Sequence, residues 1–92
     1  MSKPIIVAAD VSKGYADFIV VDSDRKTLVE LFQLDDNKAG HSQLREQLVL
    51  LKQRYKPNRI LLAVESTGGY EDNWLRMVKQ PALTNFVEGY RL

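Results

Sequence analysis

The chain has no cysteine among its 92 residues. That excludes a disulfide framework and thiolate metal sites, and it fits a cytoplasmic protein. It also lacks a dominant charge: 13 Lys and Arg face 12 Asp and Glu, for a net charge of +1. No global field therefore draws it to nucleic acid or membrane, and any such contact must come from a local patch. Long apolar runs are missing too. The run before Asp10 is too short for a signal-peptide core, and nothing approaches the ~20 residues of a membrane span. There is no internal repeat and no low-complexity stretch. What remains is a hydrophobic fraction of 45%, ordinary for a globular core. A chain of this length makes one domain at most and buries only roughly 60–65% of its unfolded surface, so stability has little margin.

Two apolar runs each end on a carboxylate and then turn. Pro4-Ile-Ile-Val-Ala-Ala-Asp10 is followed by Val11-Ser12-Lys13-Gly14, and Arg59-Ile-Leu-Leu-Ala-Val-Glu65 by Ser66-Thr67-Gly68-Gly69-Tyr70-Glu71. Strands so uniformly apolar read as central parallel strands buried on both faces. Side by side, they bring Asp10 and Glu65 to one end of a sheet, where open α/β sheets bind ligands. Two carboxylates there call for a cation, a proton or a basic partner.

The remaining pattern orders the elements. Residues 4 to 10, 15 to 22 and 27 to 34 read as three strands joined by the turns Ser12-Lys13-Gly14 and Ser23-Asp24-Arg25-Lys26. Such short connections make an antiparallel meander. Asn37 caps a helix over about residues 38 to 55, with Leu44, Leu48, Leu51 and Tyr55 on one face and Arg45, Glu46, Lys52 and Gln53 toward solvent. A fourth strand runs from Arg59 to Glu65. A second helix starts near Tyr70 or Glu71, buries Trp74, Leu75 and Val78, and is closed by Pro81. Residues 85 to 90 are a candidate fifth strand. The order β-β-β-α-β-α, with that addition, predicts an α/β chain of ribonuclease-H-like design.

With Asp10-Val11-Ser12-Lys13 and Glu65-Ser66-Thr67-Gly68-Gly69-Tyr70-Glu71 in this order, the chain resembles the N-terminal DEDD (RuvC-like) domain of bacterial insertion-sequence transposases related to the Piv DNA invertase. Asp17 and Gly40 are minor matches. The resemblance covers roughly residues 5 to 80; residues 81 to 92 diverge from the family pattern, so the expectation is one truncated ribonuclease-H-like domain. The resemblance implies four acids that bind divalent metal. Asp10 matches the first and Glu65 the second, while the other two, both aspartates, would lie beyond residue 92. It further implies Mg²⁺- or Mn²⁺-dependent DNA strand cleavage and transfer in the full-length protein, with transposon ends and target DNA as partners, element-encoded RNA in some members, and a homo-oligomeric state. No membrane is involved. The 92 residues alone are expected to hold the metal weakly and not to cleave DNA.

Each singled-out residue also has a structural reading. Asp10 can cap its own turn. Glu65 can pair with Lys13 or Arg59, since an unpaired carboxylate ending a buried strand is costly. Ser66, Thr67 and Gly68 precede a helix and could contact a DNA or RNA phosphate, as could Lys13; a tight turn and a solvated lysine are the default. Asp17 reads as a polar strand position, His41 as a partly buried structural histidine, and Trp74 as core. Arg45, Lys52, Arg54, Lys56 and Arg59 read as a solvated face. Two further functions compete with the transposase reading. One is an actin/hexokinase-like nucleotide-binding module, in which an aspartate in the first turn positions Mg²⁺-ATP. The other is a non-catalytic remnant that dimerises through an unfinished sheet edge.

Overall fold

The computed structural model describes residues 3–66 and 68–92. It contains β1 (Ile5–Ser12), β2 (Tyr15–Asp22), β3 (Thr27–Asp35), α1 (Lys38–Tyr55), β4 (Ile60–Ser66), α2 (Asp72–Met77) and β5 (Val87–Arg91). The strands form one mixed sheet in the order β3-β2-β1-β4-β5. β1, β2 and β3 are the expected antiparallel meander. β4 lies parallel to β1, and β5 parallel to β4. The chain is thus a mixed α/β fold, and the segment after residue 80 does supply a fifth strand.

One face of the sheet is closed. Ile5, Val7, Ala9 and Val11 alternate inward along β1, and Ala16, Phe18 and Val20 do so along β2. Ile60, Leu62 and Val64 join them from β4. Leu44, Leu48 and Leu51 of α1 and Trp74, Leu75, Met77 and Val78 in and after α2 complete this core. Phe18 stacks on Phe32 at 5.3 Å between ring centres, and the Trp74 edge meets Phe18 at 5.1 Å. Aromatic pairs at such offsets add about 0.5–1.5 kcal/mol to the area they bury.

Helix α1 starts as its capping residue dictates. Asn37 is extended, and its Oδ1 accepts the Gly40 amide at 2.8 Å. Gly40 lets the first turn lie directly on the end of β3, because a Cβ there would run into the Asp35 carbonyl oxygen. Lys56, in the left-handed region at φ 48°, ends the helix and donates its amide to the Lys52 carbonyl at 3.1 Å.

Three expectations need correction. The uniform apolarity of the strands predicts burial on both faces, but on the face away from the helices Ala63 is the one strand residue buried among those described. There, Ile6, Ala8, Ile19, Val21 and Leu61 are half-buried and Leu31 is exposed. Local sequence reports apolarity; what covers a face is a matter of tertiary structure. Tyr55 does not share the buried face of α1; it is exposed at the last turn, with the Arg54 guanidinium 5.6 Å from its ring centre. Finally, α2 ends at Met77, and its chain continues through turns across Pro81 to residue 86, so Pro81 is not its terminator. No helix among the described residues is long and apolar enough to cross a membrane.

Candidate functional site

The parallel register places Asp10 opposite Glu65, and the antiparallel register places Asp10 opposite Asp17. Opposite residues in a ladder share a face. Asp17, Asp10 and Glu65 therefore form one row across three adjacent strands, on the open face, near the carboxyl ends of β1 and β4. Neighbouring strands are ~4.8 Å apart, within range for side chains of adjacent strands to share one ion. Gln33 of β3 extends the row, donating from its Nε2 to Asp17 Oδ1 at 3.1 Å. Beside the row lie Ala8, Ile19, Leu31, Ala63 and Leu92, which with the three acids line a shallow depression of ≈ 290 Å³. The site is an acidic strip bordered by apolar surface.

The pair's partners separate the functional from the structural readings. Asp10 and Glu65 are both exposed. Among the described residues neither carboxylate makes a hydrogen bond or an ion pair, so Asp10 is not capping its turn and Glu65 pairs with neither Lys13 nor Arg59 there. Arg59 instead pairs with Glu88 at 3.3 Å. Glu65 is not desolvated at the end of its strand, because its side chain is open to water. Asp17, by contrast, has the Gln33 amide as a partner.

The residues at the end of the sheet around this strip are placed by two turns. Lys13 is exposed in the β1–β2 turn. Ser66 Oγ accepts the Gly68 amide at 3.4 Å and the Tyr70 amide at 3.2 Å, which makes the β4–α2 connection a tight turn. The exposed Tyr70 ring lies against Gly68, where a Cβ would require that ring to turn aside. Thr67 lies outside the described residues.

A second acidic pair, Glu71 and Asp72, sits at the start of α2 and is engaged by one cation, while Glu71 Oε1 is buried with no hydrogen-bond partner among the described residues. Arg91 of β5 donates to Glu71 Oε2 from Nε at 2.9 Å and to Asp72 Oδ1 from Nη2. The Glu71 carboxyl is held below the ordinary glutamate value of 4.5, by its own backbone amide first and the Arg91 guanidinium next. The same contacts raise Arg91. A third acid, Asp36, receives His41 Nε2–H at 2.6 Å and Asn73 Nδ2 at 3.3 Å, and the His41 ring packs edge-on against Trp74 at 4.7 Å. His41 is therefore the partly buried structural histidine that its position suggested. Neither Asp36 nor Asn73 was singled out in the sequence; the only signal was their place at the starts of two helices.

The donor set of the strip can be tested against a divalent metal. Mg²⁺ takes hard oxygen ligands and keeps several waters, so two free carboxylates on adjacent strands suit weak binding. Among the described residues no group of three or more His, Cys, Asp or Glu is placed to hold an ion. Asp10 and Glu65 thus fit a metal as two ligands, with Asp17 adjoining and already bonded.

No family model matches the chain, and no curated protein does. Solved structures do. A Bacteroides thetaiotaomicron protein with an actin-like ATPase fold and unknown function matches with a TM-score of 0.52 at 13% identity, over 98% of this chain and 34% of that one. The foamy viral protease–reverse transcriptase dRH, solved in complex with double-stranded DNA, matches with a TM-score of 0.54 at 8% identity, over 98% of this chain and 20% of that one. The chain spans about a third and a fifth of these proteins' lengths. At such identities the likeness is one of fold alone.

Proposed function

We propose that this chain is the N-terminal part of the catalytic domain of a DEDD-type transposase or site-specific recombinase, with a ribonuclease-H-like (RuvC-like) sheet and a cytoplasmic setting. The observation that carries the reading is the Asp10–Glu65 register: two carboxylates without a partner among the described residues, side by side near the carboxyl ends of adjacent parallel strands. The Asp-Val-Ser-Lys and Glu-Ser-Thr-Gly-Gly-Tyr motifs supply the family.

Asp10 and Glu65 would hold Mg²⁺ or Mn²⁺. Metal ions bound at this site would supply activation of the attacking oxygen and stabilisation of the leaving one in phosphodiester cleavage. The chain's own contribution is positional. Ladder hydrogen bonds fix both carboxylates on one face, and the open sheet face leaves them accessible. Two ligands hold the ion weakly, so strand cleavage belongs to the full-length protein, whose further acids would complete the set.

The test is binding of branched DNA with and without Mg²⁺. We expect Mg²⁺ to raise the affinity of the wild-type chain and to have no effect on Asp10→Asn, while calorimetric titration with Mg²⁺-ATP stays silent. Saturable ATP binding without a metal-dependent gain for DNA would favour the nucleotide-binding module instead.

A further inference from the structure

The opposite side of the same sheet end carries a second feature of a different chemistry. β3 runs in the direction of β1, so α1 begins at the end where Asp10 and Glu65 lie. The Asp36 amide, donating to the Gly14 carbonyl at 2.9 Å, ties that start to the β1–β2 turn. Between the first two turns of α1 and the segment after α2 is a cleft of ≈ 520 Å³, lined by Lys38, Ala39, His41, Ser42, Arg45 and Gln80. No carboxylate lines it. Lys38 and Arg45, seven residues apart, stand two turns apart on one helix face.

The surrounding bonds leave this donor set available. Among the described residues neither Lys38 nor Arg45 forms an ion pair, whereas Lys3, Arg59 and Arg91 each do. Arg45 donates to Ser42 Oγ at 3.4 Å, which leaves the serine hydroxyl hydrogen free to turn outward. Asp36 does not line the cleft: its side chain is 10% exposed and is held by His41 and Asn73. That network also fixes the wall, because it joins the first turn of α1 to α2. Two free cations, a hydroxyl and an amide on a braced surface form a site for an oxyanion.

We infer that this cleft holds the phosphodiester backbone of DNA, with Lys38 and Arg45 each neutralising one phosphate. The inference rests on the reading of DNA as substrate. It places the polymer across the end of the sheet, from the acidic strip on the open face to the cations on the closed one. In a chain of net charge +1, it is local geometry rather than the overall field that binds it.

The test is anisotropy of a labelled DNA duplex in EDTA, between about 50 and 200 mM salt. Omitting metal separates it from the acidic strip. Lys38→Ala/Arg45→Ala should weaken binding by roughly tenfold and lower the salt slope by about two, one per lost phosphate contact. Lys26→Ala/Arg54→Ala, with the same charge change, should leave both unchanged. Equal losses in the two variants, or an unchanged slope in the first, would overturn the cleft while leaving the metal site standing. So would a cleft that inorganic phosphate saturates, by amide shifts at residues 38 to 45, in a chain that binds no duplex. Far-ultraviolet dichroism confirms that both variants are folded.

Discussion

The two faces of this sheet are built from similar strands and end in different chemistry. On the closed face, Val7, Phe18, Leu44, Leu48, Leu62 and Trp74 are almost wholly removed from water. On the open face, Ala8, Ile19 and Leu31 border the row Asp17, Asp10 and Glu65. The same β1 supplies both: its odd-numbered residues hold the fold together, and its even-numbered ones include Asp10, whose carboxylate has no partner among the described residues. The two acidic pairs repeat the contrast. Glu71 and Asp72 are engaged by Arg91 and fasten α2 to β5. Asp10 and Glu65 have no cation among the described residues.

The largest effects should come from the closed face. Trp74→Ala, which empties the junction of α1, α2 and β2, should cost about 3–5 kcal/mol in urea unfolding, enough to unfold a chain of this size. Leu31→Ala on the open face, where Leu31 is 68% exposed, should change stability by less than about 0.5 kcal/mol. A comparable cost at both positions would erase the distinction. Gly40→Ala comes next. Its methyl group must displace the Asp35 carbonyl or shift α1, and overpacking of this kind costs about 1–3 kcal/mol.

Much of this was legible in the sequence, and the limits have physical causes. Asn37 and the leucine spacing placed α1 correctly because capping and amphipathic period are local properties. The Asp10–Glu65 pairing was legible because two apolar runs of similar length each end in one acid. The open face was not, since an alanine or isoleucine on an uncovered sheet reads the same as one under a helix. Nor was the alignment of Asp17 with Asp10, which depends on the register of the first hairpin. The engagement of Asp36 by His41 and Asn73 requires two helix starts to converge, and no spacing rule announces that.

The acids themselves give two smaller effects. Because Glu71 is depressed in the folded chain, its contribution is present above its unfolded value, near 4.5, and is lost as pH falls through the lower folded value. Acid titration should therefore loosen the contact between α2 and β5, seen as faster exchange of the amides of residues 72 to 77. Arg91→Gln should show that looser state at neutral pH and lose the acid transition. Asp10→Asn should change stability by no more than about 0.5 kcal/mol, because nothing in the described fold leans on that carboxylate.

The most direct measurement is a Mn²⁺ titration followed by paramagnetic broadening of the amide spectrum. If Asp10 and Glu65 hold the ion, broadening is saturable and confined to residues near Asp10, Asp17 and Glu65, displaced by Mg²⁺ and abolished in Asp10→Asn and Glu65→Gln. Broadening centred on Glu71 and Asp72, or left intact in both variants, would contradict it.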